Sequence, residues 1–404
     1  MKDLLSLFSL QTQQNAIDSY MEGIKGYISN TNVIPLSIGL PNKQLLQKEQ
    51  FLKHIQSLFD MGTDSFFNYG GAKGLEPLIS TISKRENIAE DHIMITTGNT
   101  QGVELSSRLL LNPKDSFAFE QYTYSQAHSI SQQYQLNAFE IPLYNDGLDI
   151  EYLENTLSSH TIKALYIIPN AQNPTGITTS LEKRKKLIEL AYRYNFMILE
   201  DDPYRDLIFD ERLPSLFELD TQKEKVIYMH SFSKTIAPTL RTGFILAHPS
   251  YIEKLKQFKQ STDSCTSPLN QMIVYKFLQS DEWEISLEKQ RSFYESRKNI
   301  TKKFINRMSH NYNWTGNEPK GGLFYWVDTN TKNVQDYLTL AAENGVIFIP
   351  GNAFSLNDSE NTKFRLCFSY VDNKDLATGF ERLEETFTQW KNQNQSQKIN
   401  SQVL

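Results

Sequence analysis

The chain contains the strand-like run Val226-Ile227-Tyr228-Met229-His230, which is followed directly by Ser231-Phe232-Ser233-Lys234. Arg241 lies seven positions after Lys234. A lysine at the end of a buried strand is costly unless its amine is paired or used covalently. Two serine hydroxyls and an arginine close to such a lysine form an anion site that suits a phosphate group. A surface turn of serine and lysine would have the same local sequence, so other parts of the chain must distinguish the two interpretations.

The size and composition of the chain limit the classes of protein to consider. Its 404 residues suggest two or three domains, or one large and one small domain. The net charge of −6 argues against broad binding to nucleic acid or to anionic membranes. Cys265 and Cys367 lack metal-ligand spacing and cannot form a disulfide framework, so we predict no metal site. No stretch approaches the ~20 apolar residues of a membrane span, and we expect a cytoplasmic protein without a signal peptide.

Short apolar runs alternate with helical patterns between residues 92 and 247. This alternation predicts an α/β domain with a mainly parallel sheet sandwiched by helices. One of the helices is expected to start at a capping box formed by Thr179 and Glu182. The predicted strands cover residues 92–97, 116–120, 138–142, 164–169, 196–200, 226–230 and 243–247.

The pattern changes near residue 250, which indicates a second domain. Long helices come first, and strands that alternate with helices follow, so we predict a smaller α+β domain. We place the large domain at residues 46–285 and the small domain at residues 286–390. Residues 1–45 are expected to form an arm that packs with the small domain or with a partner subunit, since apolar residues recur at helical spacing in residues 17–24. Residues 391–404, rich in polar side chains, are expected to form a frayed tail.

Polar residues follow the predicted strands at the edge of the sheet where ligands bind in α/β proteins. Gly98, Asn99 and Thr100 connect a strand to a helix, and the first turn of a helix offers free backbone N–H groups to an anion. An ordinary turn between a strand and a helix would look the same. Asp201 ends another strand, and Asp202 competes with it because adjacent side chains in a strand point to opposite faces.

Together these groups match the requirements of pyridoxal phosphate, a cofactor that attaches to a lysine as a Schiff base. Lys234 is the candidate for that attachment. Asp201 would keep the ring nitrogen protonated, because a buried carboxylate favours a nearby positive charge. Asn173 and Tyr204 would donate hydrogen bonds to the 3′ oxygen of the ring.

The phosphate, the ring face and the substrate need further contacts. Tyr124 is the candidate to stack on the ring, with Tyr122 as an alternative. Arg365 could give the substrate's α-carboxylate a planar, two-pronged donor, and Gly39 would allow the backbone to approach the substrate closely. The predicted phosphate ligands are the backbone amides of Gly98, Asn99 and Thr100 and the side chains of Ser231, Ser233 and Arg241.

Six sequence motifs, and the order in which they follow one another along the chain, match those of a known family. They resemble those of the fold-type-I pyridoxal-phosphate-dependent aminotransferases of class I/II, over nearly the whole chain from Leu36 to Trp390. The runs Glu200–Tyr204 and Ser231–Pro238 are most similar to the 2-aminoadipate-type subgroup, whose aminotransferase domain also occurs in winged-helix regulators. The motifs are Asn173-Pro174-Thr175-Gly176, Asp201-x-x-Tyr204, Ser231-x-Ser233-Lys234 with Arg241, Pro319-x-Gly321-Gly322-x-Phe324-x-Trp326, Pro350-Gly351-x-x-Phe354 and Arg365.

The resemblance implies a mechanism and an assembly. In a ping-pong reaction, Lys234 would hold the cofactor as an internal aldimine, with Asp201 and Tyr204 completing the catalytic set. An amino acid would leave its amino group on the enzyme, and a 2-oxo acid, for which 2-oxoglutarate is expected, would remove it. The enzyme would be a homodimer in which Tyr69 reaches the phosphate in the site of the partner subunit. The donor stays open, because residues 43–46 replace a proline-rich segment that often touches the substrate in this family.

Two other functions are compatible with the sequence. A β-elimination lyase could use the same cofactor site, because the pocket and not the cofactor selects the bond that breaks. A ligand-sensing regulator would carry an N-terminal winged helix of roughly 60–70 residues. Only about 35 residues precede the extended run at residues 33–38, where the first strand of the domain is expected, and they are not notably basic, so the regulator is the weaker alternative.

Overall fold

The computed structural model describes Leu7 and residues 32–60, 65–357 and 361–402. The helix expected in residues 17–24 lies outside the described residues. Among the described helices, none combines the length and the apolar character needed to cross a membrane.

Short strands, mostly two to six residues long, belong to four sheets in the described part of the chain. In chain order they are β1 (Ile34–Pro35), β2 (Ile93–Thr96), β3 (Ser116–Glu120), β4 (Asn137–Ile141), β5 (Leu143–Tyr144), β6 (Gly147–Leu148), β7 (Ile162–Ile167), β8 (Met197–Asp201), β9 (Val226–Ser231), β10 (Gly243–Leu246), β11 (Thr315–Asn317), β12 (Phe324–Asp328), β13 (Val346–Ile347), β14 (Ile349–Pro350) and β15 (Lys363–Cys367).

The central sheet has the strand order β2-β10-β9-β8-β7-β3-β4. Strands β9, β8, β7, β3 and β4 run parallel to one another, while β10 is antiparallel to both β9 and β2. The predicted α/β architecture with a mainly parallel sheet is therefore confirmed.

Side chains of the central strands alternate between two hydrophobic clusters. In β7, Ala164 and Tyr166 belong to one cluster, and Leu165 and Ile167 belong to the other. Successive side chains of a strand point to opposite faces, so each cluster lies on one face of the sheet. Strands covered on both faces need nearly continuous apolar sequence, which is why the apolar runs predicted them well.

The α-helices of the described residues connect the strands, and several of them pack on the central sheet. They are α1 (Lys48–Asp60), α2 (Glu76–Glu86), α3 (Asn99–Leu110), α4 (Ser125–Gln133), α5 (Ile150–Ser159), α6 (Leu181–Tyr194), α7 (Leu216–Leu219), α8 (Pro249–Thr262), α9 (Pro268–Leu278), α10 (Trp283–Tyr312), α11 (Val334–Glu343) and α12 (Asn373–Gln402).

The start of α6 corrects the predicted capping box. Ser180, and not Thr179, is the N-cap, and its hydroxyl accepts a hydrogen bond from the Lys183 N–H at 3.4 Å. Thr179 is buried, and its carbonyl oxygen accepts a hydrogen bond from Arg184 Nε at 2.9 Å. The prediction was wrong by one residue, because Thr and Ser are both good caps and only packing separates them.

The small sheet has the order β11-β12-β15-β14 with antiparallel pairing. Strand β1 pairs in parallel with β13, so the described end of the predicted arm is attached to the small domain. Helix α10 crosses the boundary placed between residues 285 and 286, and α12 continues through residue 402. The exact domain boundaries stay a prediction.

Candidate active site

A cavity of about 510 Å³ lies where residues at the carboxyl ends of β8 and β9 meet β12 and β15 of the small sheet. Ligands of parallel sheets bind at this edge. Gly98 adjoins the wall through Arg241, whereas Tyr69 does not line the cavity. The predicted site residues that line it are Gly39, Asn99, Thr100, Tyr124, Asn173, Asp201, Tyr204, Ser231, Ser233, Lys234, Arg241 and Arg365.

The amine of Lys234 is held inside this cavity. Lys234 Nζ donates a hydrogen bond to the Gly39 carbonyl oxygen at 2.8 Å and lies 5.9 Å from the centre of the Tyr204 ring. Burial lowers the pKa of Lys234 to about 8, and the positive charges of Arg365 and Arg241 act in the same direction. An amine with this pKa is partly neutral near pH 7, so it can act as a nucleophile or as a base.

The structure separates Asp201 from Asp202. Asp201 lines the cavity, where its Oδ1 accepts from Asn99 Nδ2 and its Oδ2 accepts from Tyr166 Oη, both at 2.6 Å. Asp202 instead accepts from Asn170 Nδ2 at 2.9 and 3.0 Å and is not in the cavity wall. Burial raises the pKa of Asp201 to about 6, and the hydrogen bonds from Tyr166 and Asn99 oppose that rise.

Arg365 joins the two domains across the cavity. Its Nη1 donates to Asn173 Oδ1 at 2.7 Å, and its Nη2 donates to the Ser37 carbonyl oxygen at 2.6 Å. The guanidinium carbon lies 4.3 Å from the centre of the Phe324 ring and 5.0 Å from that of Phe354. Contacts with aromatic faces and two hydrogen bonds fix the orientation of the guanidinium plane, which suits a carboxylate ligand.

A cationic side chain, two hydroxyls and a helix start lie close together where α3 begins. Gly98 is the N-cap residue of the helix and has a φ of 84°. Because glycine has no side chain, it does not cap the first backbone N–H groups of the helix. Arg241 Nη2 donates to the Thr97 carbonyl oxygen at 3.3 Å and would lie only 2.8 Å from a Cβ at Gly98. Ser231 Oγ and Ser233 Oγ share a hydrogen bond of 2.8 Å in the same cavity wall. A cation, two hydroxyls and a helix start form a donor set for phosphate.

Tyr124 and Tyr122 have different environments. Tyr124 lines the cavity and is 40% exposed in the isolated chain. Tyr122 is buried, with its ring centre 5.0 Å from that of Trp326, and its hydroxyl accepts from Lys363 Nζ at 3.3 Å. Tyr122 lines a separate cavity of about 300 Å³, so Tyr124 is the ring that a cofactor in the main cavity could meet.

Tyr69 lies on the surface of the chain. Its side chain is 92% exposed, and the nearby Phe67 is 68% exposed. This is where a residue that acts on a second subunit must be, because it cannot be buried in its own chain.

Sequence reasoning missed the contact between Tyr166 and Asp201. Tyr166 lies within the apolar strand β7, and its periodicity is that of a core residue. The sequence signal that could have indicated this contact was the tyrosine itself, at position 166 in a strand covered on both faces. A buried tyrosine hydroxyl usually has a hydrogen-bond partner. The roles of Phe324 and Phe354 beside Arg365 were also missed, although both residues belong to the motifs.

The donor set of the cavity fits pyridoxal phosphate. The helix start with Arg241 matches a phosphate, Lys234 matches an aldehyde, and Asp201 matches a protonated ring nitrogen. Tyr124 supplies an aromatic face.

Comparison with known proteins gives the family. The family model described as "Aminotransferase class I and II" matches residues 31–383. Aromatic-amino-acid aminotransferase 1 of Thermococcus litoralis is 32% identical over 89% of this chain and 89% of its own length.

Two solved structures match the fold closely. LysN, the alpha-aminoadipate aminotransferase of Thermus thermophilus in complex with N-(5'-phosphopyridoxyl)-L-leucine, gives a TM-score of 0.88 at 28% identity, over 96% of this chain and 98% of LysN. Pyrococcus horikoshii kynurenine aminotransferase, solved with PMP, gives 0.89 at 31% identity, over 96% of this chain and 98% of that chain. The chain belongs to the class I and II aminotransferases of fold type I, a pyridoxal-phosphate-dependent family.

Proposed function

We propose that this aminotransferase moves the amino group of an amino acid to 2-oxoglutarate in two half-reactions that follow a ping-pong order. We assign Lys234 as the residue that carries the cofactor. The observation that supports this most is one cavity that combines a lysine of pKa about 8 with the Asp201 carboxylate and the Arg365 guanidinium. Such a combination provides a base, a counter-charge and a carboxylate ligand within one small volume.

Each residue has a defined task in this proposal. Pyridoxal phosphate, when bound, supplies the electron sink for the charge left on the substrate Cα. Arg365 binds the substrate carboxylate, and Lys234 takes the Cα proton as a base and, as an acid, would deliver it to the C4′ carbon of the cofactor. Asp201 maintains a positive charge at the ring nitrogen, and the Tyr204 hydroxyl and the Asn173 amide hydrogen-bond the ring oxygen.

The remaining cavity residues bind and orient the cofactor. The backbone N–H groups of Gly98, Asn99 and Thr100 and the side chains of Ser231, Ser233 and Arg241 hold the phosphate, while Tyr124 stacks on the ring. The Gly39 carbonyl oxygen, 2.8 Å from Lys234 Nζ, orients the amine when it is free. We further propose a homodimer in which Tyr69 contributes to the site of the second copy, which its 92% exposure supports.

A panel of amino acids tests which of them is the amino donor. The relatives are named for aromatic amino acids, kynurenine and aminoadipate, so tyrosine, phenylalanine, kynurenine and 2-aminoadipate come first. The visible absorbance of the purified holoenzyme should bleach with a good donor and return when 2-oxoglutarate is added. This measurement tests the ping-pong order and ranks the donors.

Lys234→Ala should abolish steady-state turnover even if the cofactor still binds. Lys163→Ala removes an exposed lysine of β7 outside the cavity and should leave turnover unchanged. Normal turnover in Lys234→Ala would contradict the assignment. Release of ammonia and pyruvate from cysteine-like donors, with an absorbance band that persists without 2-oxoglutarate, would indicate a β-elimination lyase instead.

A further inference from the structure

The carboxylate of Asp201 is fixed by donors from two different elements. Tyr166, from β7, donates to Oδ2, and Asn99, at the start of α3, donates to Oδ1. Both bonds are 2.6 Å long, and the Tyr166 side chain is fully buried. Each carboxylate oxygen has a second lone pair, so both oxygens keep an acceptor site for another donor.

Tyr166 is chemically suited to this contact over the whole working pH range. Burial raises the pKa of Tyr166 well above its ordinary value, and the nearby Asp201 charge raises it further. The phenol therefore stays protonated, and its single proton is committed to Asp201. The Tyr166 side chain is fully buried and belongs to the hydrophobic cluster on one face of the sheet.

The surroundings of Asp201 otherwise favour its neutral form. Burial and the neighbouring Asp202 raise the pKa of Asp201, while His230 and the two donors lower it. Among the described residues, Glu120, Tyr124, Tyr204 and Lys234 also interact electrostatically with Asp201. In this setting each donated hydrogen bond favours the charged carboxylate.

We propose that Tyr166 and Asn99 are positioning residues that hold the Asp201 carboxylate as an oriented anion for the protonated ring nitrogen of pyridoxal phosphate. This inference rests on the role given to Asp201 in the proposed function. It assigns Tyr166 an electrostatic task in cofactor binding that differs from packing in the core.

Titration with two cofactors distinguishes an electrostatic role of Tyr166 from a role in core packing. We would strip the full chain of cofactor and titrate it with pyridoxal phosphate and with its 1-deaza analogue, in which carbon replaces the ring nitrogen. Tyr166→Phe should bind pyridoxal phosphate about tenfold more weakly than the wild type, because it loses one charge-assisted hydrogen bond. Its affinity for the deaza analogue should match that of the wild type. Asn99→Ala should show the same selective loss through the other carboxylate oxygen.

Tyr337→Phe is the matched control. Tyr337 is also fully buried, but its hydroxyl donates to the Leu383 carbonyl oxygen at 2.8 Å in the small domain, so both affinities should stay unchanged. Equal losses for both cofactors in Tyr166→Phe would show a structural role and overturn the inference, as would an unchanged affinity for pyridoxal phosphate. A wild-type chain that binds neither cofactor would overturn the proposed function itself, which is a different and separable result.

Discussion

At the scale of single residues, Glu120 shows how a buried acid shapes the site without lining it. Its Oε2 accepts from the Ile168 N–H at 3.1 Å and from Gln172 Nε2 at 3.0 Å. Gln172 Oε1 in turn accepts from the Thr175 N–H at 2.8 Å. Glu120 thereby anchors the loop that presents Asn173 to the cavity, and burial raises the pKa of Glu120 to about 8.

This pKa predicts a pH-dependent stability. Between the ordinary pKa of 4.5 and the folded pKa of about 8, the folded protein keeps a proton that the unfolded chain has lost. The free energy of unfolding contributed by Glu120 is therefore largest below pH 4.5, falls through this window and levels off above pH 8. Glu120→Gln lacks this contribution, so its stability relative to the wild type should rise with pH, by on the order of 4 kcal/mol across the window.

Urea unfolding of both proteins at about pH 5 and about pH 8 measures this difference. Glu182→Gln, a substitution on the exposed side of α6, provides the control and should show no such trend. A difference between Glu120→Gln and wild type that does not change with pH would contradict the prediction.

At the scale of elements, the turn from β2 to α3 brings a helix start and Arg241 together. Gly98 has a φ of 84°, and a Cβ there would meet Arg241 Nη2 at 2.8 Å. Gly98→Ala should displace the guanidinium and strain the backbone by about 1–3 kcal/mol. We expect the affinity for pyridoxal phosphate to fall by roughly tenfold to a hundredfold, measured by titration of the cofactor-free protein.

Gly71→Ala is the control for this substitution. A Cβ at Gly71 would meet no atom within 4 Å, and Gly71 has no positive φ. Its affinity for the cofactor should equal that of the wild type. Equal affinities in Gly98→Ala and Gly71→Ala would exclude the helix start as a phosphate site.

At the scale of the whole molecule, the site exists only when the two domains are assembled. Arg365 of β15 reaches Asn173 of the large domain, and the Thr123 N–H donates to the Phe354 carbonyl oxygen at 2.9 Å. Strand β1 pairs with β13, and the segment after β1 supplies the Gly39 carbonyl oxygen to Lys234. Three separate parts of the chain therefore define one cavity.

The proposed homodimer predicts complementation between inactive variants. Lys234→Ala and Tyr69→Ala should each lose activity alone. When the two variants are denatured and refolded together, half of the dimers contain one copy of each variant. In each mixed dimer, one of the two sites has both Lys234 and Tyr69 intact. About a quarter of the wild-type activity should therefore return. Steady-state assays of the mixture, with each variant refolded alone as the control, measure this. No recovery above the average of the two variants would mean that Tyr69 does not act across subunits.

Much of the fold and the site could be predicted from the sequence, because the signals were local. Buried parallel strands need continuous apolar runs, so the positions of β7, β8 and β9 were evident. The meeting of Lys234, Asn173 and Arg365 in one cavity could be inferred from residue type and order, since ligands bind at the carboxyl ends of such strands.

What only the tertiary structure decided depends on contacts between distant residues. The choice of Asp201 over Asp202 and of Tyr124 over Tyr122 follows from which face of a strand or loop meets the small domain. The partners of Asp201, Tyr166 and Asn99, lie 35 and 102 positions away in sequence. The sequence by itself determined which chemical groups lie at the strand ends. The register of the sheet and the packing of the domains determined which of these groups meet. Hydrogen bonds and charge interactions depend on distances in space, and the spacing of residues along the chain does not encode those distances.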